Sequence, residues 1–482
     1  MLQRPLNPYE SRLQLNEENV KNKAAAKTSL TGEIRAILHL ALPLALSQLV
    51  WIGISTSDIW MMGRIGTLEL ASGSLAMRAY QPFYFWTLGM LSVTTALMAQ
   101  GLGAGDASRV RRAFRSGVLL ASFFGVLFAL PVWAGPWLLP YLGQDPALAA
   151  YAGDFFIWTA IGLPIIFVFQ MLRFFSVSMG TPSMQLLASV IGLVANLVLN
   201  ELLALGLGPL PEMGLGGIAA ATTLSYAITV LVMMSIVRRH EELKKWDIFR
   251  NWWRLDRPSV KGILRLGTPT GFIVLSETSM FAVVSLMLGV FGAAALAASA
   301  ISFQVTSIAF MLPLAVGQAA LVRTGRAAGA GDMSALRQTG RAAMTLAAGS
   351  GLVNMLVILI FREQLAELFL ASSDGLVEQV VVLAIPMLII TALFQIPEAL
   401  QAVTISLLRG INDTFWPALI SMAGYWVAGV GLAWVFGFSL GLGPTSVWGA
   451  IGLALVLNGI IMVARWFWQL RRIATDGSIL RN

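Results

Sequence analysis

A few ionisable and amide side chains lie inside long apolar stretches of this sequence. Asp58 stands near the end of an apolar run that begins around Ile37. Asn196 and Asn200 are four residues apart, which places both on one helix face, and Thr222 lies in a later apolar run. Carboxylate, amide and hydroxyl oxygens are hard ligands, so together these side chains suit a small cation. The alternatives are interhelical hydrogen bonding for the amides and hydroxyl, and an interfacial helix end for the aspartate.

Two glutamates form a second candidate site. Glu277 lies in "VLSETSMF" and Glu398 in "LFQIPEALQ", directly after Pro397. A proline frees a backbone carbonyl, as in the interrupted helices that line membrane cavities. Buried glutamates facing one cavity would repel each other and could exchange protons in the physiological range. A satisfied polar contact is the alternative for each. Three prolines are candidate hinges: Pro43, Pro269 and Pro397.

Membrane-spanning helices must position these residues. Hydrophobic residues make up 57% of the 482 residues and charged residues only 12%, against roughly 25% charged in soluble domains. Mean hydropathy is +0.77. Stretches long enough to span a bilayer, about 20 residues each, predict an all-α integral membrane protein. Twelve spans are predicted: 36–62, 68–100, 113–140, 150–172, 183–208, 214–237, 262–291, 294–324, 340–361, 378–406, 414–438 and 445–468.

The basic residues predict the orientation of these spans. With the N-terminus inside, 29 of the 32 Lys and Arg residues fall in inner segments, leaving only Arg64, Arg78 and Arg362. Positive charge concentrates in cytoplasmic segments, so we expect both termini in the cytoplasm and the protein in the plasma (inner) membrane. The net charge of +8 then reflects topology, and no nucleic-acid partner is predicted.

The chain repeats itself after 226 residues, without a gap over some 80 positions. "GAGDASRVRRAFR" (103–115) falls on "GAGDMSALRQTGR" (329–341), so Asp106 and Asp332 recur and are interpreted as structural helix caps. Six spans per half predict two parallel six-helix lobes about an axis along the membrane normal, typical of rocking transporters. The predicted units are tail 1–34, N-lobe 35–237, linker 238–261, C-lobe 262–470 and tail 471–482.

Other carboxylates do not recur. Asp58 maps to Val284, and Glu277 maps back to Trp51. Carboxylates needed only to build the shared fold should appear in both halves. We therefore expect the two lobes to bind different ligands.

The linker mixes aromatic and basic residues: Trp246, Ile248, Phe249, Trp252 and Trp253 interleave with Lys and Arg. This pattern favours an interfacial helix on anionic headgroups over a partner-protein site. Within the spans, Arg78 and Arg173 either line a cavity or extend to the interface.

Together these residues resemble the multidrug and toxic compound extrusion (MATE) transporters, in particular the NorM-like branch. The resemblance rests on "DIWMMGRIG" in span 1, "GAGD" after spans 2 and 8, and "LLRGINDT" after span 10, and covers about residues 33–470. It implies export of organic cations by antiport with Na⁺ or H⁺. The residues matching the family's N-lobe cation site are Asp58, Asn196, Asn200 and Thr222, with Na⁺ possible at the first three.

In the C-lobe the resemblance implies an acidic pair, Glu277 and Glu398. Many NorM-like proteins have Tyr four positions before the second acid, where this chain has Phe394. Loss of that hydroxyl favours a proton role for Glu398 over sodium coordination.

Other function classes fit the sequence less well. A lipid-linked precursor flippase of the same superfamily should carry several cavity arginines and often two extra helices. No cysteine is present, and His39 and His240 are far apart in sequence, so we expect no HExxH metal site and no enzyme. No filter-like repeat favours a channel. The expected partners are organic cations and lipids, with no cofactor beyond the coupling ion, and the protein is expected to be monomeric.

Overall fold

The computed structural model describes residues 29–206, 211–249, 254–368 and 376–477, and long helices dominate this part of the chain. The predicted tail residues 1–28 and 478–482 lie outside the described residues. Twelve long helices follow one another: α1 Leu30–Ile65, α2 Thr67–Gly103, α3 Ala107–Trp133, α4 Gly153–Met179, α5 Pro182–Ala204, α6 Gly214–Arg239, α7 Arg257–Gly289, α8 Ala293–Ala330, α9 Met333–Ile360, α10 Val377–Gly410, α11 Phe415–Ser439 and α12 Pro444–Asp476.

Eleven of these helices are long and apolar enough to cross a membrane. The remaining one, α2, is less apolar because it carries Thr87, Thr94, Thr95 and Gln100, all of them buried. These side chains face protein, where hydrogen bonds can satisfy them. Thus α2 keeps the length of a span while its polar residues serve the interior of the bundle.

The two "GAGD" turns share one local structure. Gly105 and Gly331 both adopt positive φ, at 68° and 70°, which glycine tolerates without steric cost. The Asp106 carboxylate accepts hydrogen bonds from the backbone of Ser108 and Arg109, and Asp332 caps α9 in the same way. The predicted capping role is therefore confirmed in both halves.

Helix α1 joins the two halves of the bundle. Before Pro43, its buried Ile37 and Leu40 belong to an apolar cluster built mainly from the second half of the chain. After Pro43 the helix contacts α5 of the first half, while Met61 and Met62 enter the core of that half. Pro43 thus lies where α1 passes from one half to the other.

The connections α2–α3 and α8–α9 and the start of α1 lie at one end of the bundle, called here the basic end. Here the Glu33 carboxylate pairs with Arg323 of α8. Gln100 of α2 donates to the carbonyl of Gly410 and to Asn412 Oδ1, both at 2.9 Å. These hydrogen bonds close the two halves against each other at the basic end.

Further contacts strengthen this closure. Arg326 donates to the carbonyl of Ser178 at 2.9 Å. A Cβ at Gly103 would lie 2.0 Å from the Arg326 carbonyl oxygen, so α2 and α8 approach closely only because this residue is glycine.

The interfacial helix predicted for the linker is not seen in its described part. Between the end of α6 at Arg239 and the start of α7 at Arg257, the described residues form one short helix, Glu241–Lys244. Ile248 is buried and Phe249 packs edge-on against Phe114 of α3. Ile248 and Phe249 were expected to lie on lipid headgroups, but they pack against the first half of the protein. Trp252 and Trp253 lie outside the described residues.

One further expectation needs correction. The third span was predicted to residue 140, but α3 ends at Trp133 and a short helix, Gly135–Leu138, follows it. At the hinge candidate Pro397, α10 runs on as one continuous helix. Pro43 and Pro269 likewise lie inside continuous helices.

Candidate functional site

The first polar centre, called here the N-lobe centre, is built around Asp58 near the far end of α1. Its side chain is only 3% exposed. One carboxylate oxygen accepts hydrogen bonds from Nδ2 of Asn196 at 3.1 Å and of Asn200 at 3.0 Å. The other accepts from the Thr222 hydroxyl at 2.7 Å. The structure thus brings together all four side chains predicted for this site, from α1, α5 and α6.

The helix spacing explains this convergence. Asn196 and Asn200 are stacked one turn apart on α5, and Asn200 Nδ2 lies 3.3 Å from both Asn196 Oδ1 and Ser57 Oγ. The Oδ1 atom of Asn200 is buried without a partner. A buried unpaired acceptor is costly, so this oxygen is available to a cation.

The N-lobe centre can therefore change its ligands without moving its helices. Both amides direct nitrogen toward the Asp58 carboxylate. Rotation of the amides would direct their oxygens inward and create a cage of carboxylate, amide and hydroxyl oxygens. No group of three His, Asp or Glu side chains is placed to bind a metal ion among the described residues. A cation would depend on the neutral oxygens.

The second polar centre, called here the C-lobe centre, lies between α7, α10 and α11. Glu398 is 4% exposed and accepts a hydrogen bond from Gln395 Nε2 at 3.1 Å. Asn354 of α9 in turn donates to Gln395 Oε1 at 3.2 Å and to the carbonyl of Ala309 at 2.8 Å. Glu398 thus lies at the end of a hydrogen-bonded chain formed by the side-chain amides of Asn354 and Gln395.

Glu277 has fewer hydrogen-bond partners than Glu398 in this centre. It lies close enough to act electrostatically on Glu398 and on Tyr425. The described residues supply no hydrogen bond to its carboxylate. Tyr425 is fully buried, and its hydroxyl accepts a hydrogen bond from Gln401. Glu398 and Tyr425 are buried and Glu277 is half-buried, so the C-lobe centre combines carboxylates from α7 and α10 with a tyrosine from α11.

The sequence analysis did not predict several residues of these centres. Gln395 lies three positions before Glu398, so helical spacing could have identified it. Tyr425 had no such signal, because α11 contains π-helical turns at Gly424–Gly431 and Val435–Ser439. Wider turns change which side chains share a face, and π-helical turns are frequent at functional sites.

The structure also separates the two arginines whose roles were left open. Arg78 on α2 is exposed, whereas Arg173 on α4 is buried with a relative exposure of 8%. Arg173 donates to Gln170 Oε1 at 3.3 Å. Only Arg173 therefore faces the interior of the first half.

Comparison with known proteins agrees with this architecture. The sequence profile of the MatE family matches residues 43–202 and 269–435. The probable multidrug resistance protein NorM of Rhizobium meliloti is 33% identical over 451 residues, covering 94% of this chain and 97% of that protein. The protein of the same name from Bradyrhizobium diazoefficiens is 34% identical, covering 92% and 95%.

Solved structures share the fold. A MATE structure in complex with MaL6 superimposes with a TM-score of 0.84 at 21% identity, covering 92% of this chain and 97% of that one. A mutant of the Vibrio cholerae MATE transporter VcmN gives 0.84 at 18% identity, covering 92% and 98%.

The fold is therefore that of a multi-pass membrane protein with twelve helices in two six-helix lobes, α1–α6 and α7–α12, as predicted. The chain belongs to the MATE family. Its relatives place it in the NorM-like branch.

Proposed function

We propose that this protein exports amphipathic organic cations by antiport with Na⁺ or H⁺, and that Asp58 binds the coupling ion. The main observation that supports this proposal is the N-lobe centre. There, one buried carboxylate accepts hydrogen bonds from three side chains on two other helices. A carboxylate inside a membrane protein is expensive to bury and marks ion pathways by default. The names of the NorM relatives support export of drugs.

Coupling requires that the ion bind one conformation better than the other. The described conformation is closed at the basic end, through contacts such as Glu33 with Arg323. Neutralising Asp58 weakens its bonds to α5 and α6 and releases the part of α1 beyond Pro43. The part before Pro43 stays packed in the C-lobe. A change at Asp58 is thereby transmitted to the interface between the lobes.

The C-lobe centre has a different role in this proposal. Glu398 is buried and Glu277 is half-buried, and both are poorly supplied with hydrogen-bond donors, so they alternate between protonated and charged forms during transport. Phe394 is buried and provides no hydroxyl, which favours proton exchange over sodium coordination. Organic cations compete with these protons for the same carboxylates.

Transport by the purified protein in proteoliposomes tests this function. A fluorescent organic cation should move against its gradient when either a sodium or a proton gradient is imposed separately, and dissipating that gradient should stop the movement. Absence of gradient-driven movement under both conditions, with a correctly folded protein, would contradict the proposal.

The orientation is part of the same proposal. The chain contains no cysteine, so single cysteines report their location without background. Ser29→Cys, at the basic end, should be protected from a membrane-impermeant maleimide in intact cells. Gln144→Cys, exposed between α3 and α4, should be labelled. The reverse pattern would invert the predicted topology.

A further inference from the structure

A cavity of about 450 Å³, called here the arginine cavity, lies at the basic end between the start of α3 and the segment that leads into α7. Four arginines line it: Arg111, Arg112 and Arg115 from α3, and Arg254 from the segment before α7. Asp256 is the one acid among the described residues that line it. The volume lies within the roughly 300–1,000 Å³ of small-molecule sites, so the cavity has room for a ligand of several heavy atoms.

The two carboxylates closest to Arg112 are engaged in capping helices. Asp256 accepts from the backbone N–H of Ser259 at 3.3 Å and caps α7, and Asp106 caps α3. Arg112 lies 4.0 Å from an Asp256 oxygen through its Nε and 3.8 Å from an Asp106 oxygen through its Nη2, both beyond hydrogen-bond distance. Among the described lining residues, four guanidinium groups therefore face a single carboxylate, and the cavity carries a net positive charge.

The internal repeat distinguishes this cavity from the general basicity of the same end. Arg111 and Arg115 are one helical turn apart and share a face of α3. Both are half-buried, whereas their repeat equivalents in α9, Arg337 and Arg341, are exposed. Membrane topology accounts for arginines at this end in both halves. It gives no reason to gather the α3 pair with Arg254 of another segment around one cavity, because like charges repel.

We propose that the arginine cavity binds a phosphate group, carried either by free inorganic phosphate or by the headgroup of an anionic phospholipid. A guanidinium group donates two parallel hydrogen bonds to phosphate oxygens. The oxygens of one phosphate accept from several arginines at once, and its negative charge offsets their mutual repulsion. This inference does not depend on the proposed export function.

The position of the cavity is compatible with both sources of phosphate. Arg112 and Arg254 are exposed, so a free ion reaches them from water. Arg111 and Arg115 lie on either side of residue 113, where the third apolar span begins, which places the cavity at the depth of lipid headgroups. In both cases the phosphate joins α3 of the first half to the segment that enters α7 of the second half.

Thermal unfolding of the detergent-purified protein tests this site without any gradient. One probe is inorganic phosphate, titrated against chloride at constant ionic strength. The other is dihexanoyl phosphatidylglycerol, compared with dihexanoyl phosphatidylcholine. Binding to the native state raises the unfolding temperature as the probe concentration rises. The double variant Arg111→Gln/Arg254→Gln should weaken the apparent affinity about tenfold. The matched control, Arg337→Gln/Arg341→Gln, removes the same charge from exposed positions at the same end and should keep the wild-type affinity.

The two probes identify the source of the phosphate. Stabilisation by inorganic phosphate that is weakened only in Arg111→Gln/Arg254→Gln assigns the cavity to a free ion. The same pattern with phosphatidylglycerol alone assigns it to a lipid headgroup, and the pattern with both probes shows that it accepts either. Should the double variant fail to fold, Arg254→Gln alone, at an exposed position, should show a smaller loss of affinity in the same direction. No stabilisation of the wild type by either probe, or an equal loss in the control variant, would overturn the proposal.

Discussion

The two polar centres of this protein differ in how many hydrogen-bond donors surround their carboxylates. At the N-lobe centre, Asp58 is surrounded by donors from α5 and α6, so its charge is supported by hydrogen bonds. At the C-lobe centre, Glu398 has one amide donor and lies close to Glu277. The first arrangement surrounds one carboxylate with side-chain donors, whereas the second brings two carboxylates together with a single amide donor.

The internal repeat makes this contrast informative. Val284, at the position equivalent to Asp58, is fully buried in an apolar cluster. Trp51, at the position equivalent to Glu277, stacks on Tyr84. The "GAGD" caps, by comparison, have the same geometry in both halves. The two lobes thus share their scaffold and differ in where they carry buried acidic side chains.

Removing charge from the C-lobe centre should have the largest effect on transport. Glu277→Gln keeps the shape of the side chain but cannot exchange a proton, so gradient-driven efflux from proteoliposomes should be abolished while the protein stays folded. Glu363→Gln is the control, since Glu363 is exposed and pairs with its neighbour Arg362. Full efflux by Glu277→Gln would reduce this centre to a structural contact.

Placing a carboxylate at the repeat-equivalent position should destabilise the protein without adding function. Val284→Asp buries a carboxylate in an apolar cluster, unlike Asp58, and should lower the free energy of unfolding by about 3 kcal/mol. Val284→Thr, of similar size but uncharged, should cost less. Thermal unfolding of the purified variants measures both. If Val284→Asp and Val284→Thr lowered the free energy of unfolding equally, the C-lobe would tolerate a carboxylate at this position as the N-lobe does, which would contradict the contrast between the lobes.

The shared caps should give the smallest effects, of similar size in both halves. Asp106→Ala and Asp332→Ala should each cost about 1 kcal/mol, seen as a modest decrease in the unfolding temperature. A cap whose loss cost several times more in one half would show that the repeat does not share its scaffold.

The Asp106 cap should also depend on pH. The hydrogen bonds from Ser108 and Arg109 lower the pKa of Asp106. A lowered pKa means that its contribution is present above the ordinary value of about 4 and is lost as pH falls through the lowered value. Because the carboxylate is partly exposed, solvent screens the effect. Asp106→Asn should flatten the stability profile below the ordinary value of about pH 4.

Much of the scaffold could be predicted because its causes are local. Apolar length predicted all twelve helices, and the repeated Gly–Asp turns predicted the caps. Asn196 and Asn200 were predicted to share a face from their spacing, and α5 indeed directs both toward Asp58 of α1. In each case the signal lies within a few residues of the feature it predicts.

The parts that were missed depend on contacts between distant segments. Ile248 and Phe249 looked like membrane-surface residues, and only the position of Phe114 in the fold shows that the core takes them. Tyr425 lies in a π-helical turn of α11 and is hydrogen-bonded to Gln401 of α10. Periodicity within one segment contains none of this information.

The central claim, that Asp58 binds the coupling ion, is tested most directly by efflux from proteoliposomes containing Asp58→Asn. This variant removes the charge but keeps the size of the side chain, so folding should be retained. Efflux driven by a sodium gradient or by a proton gradient should fall at least roughly tenfold relative to wild type, which corresponds to about 1.4 kcal/mol. Efflux equal to wild type under both gradients, at equal amounts of folded protein, would contradict the account.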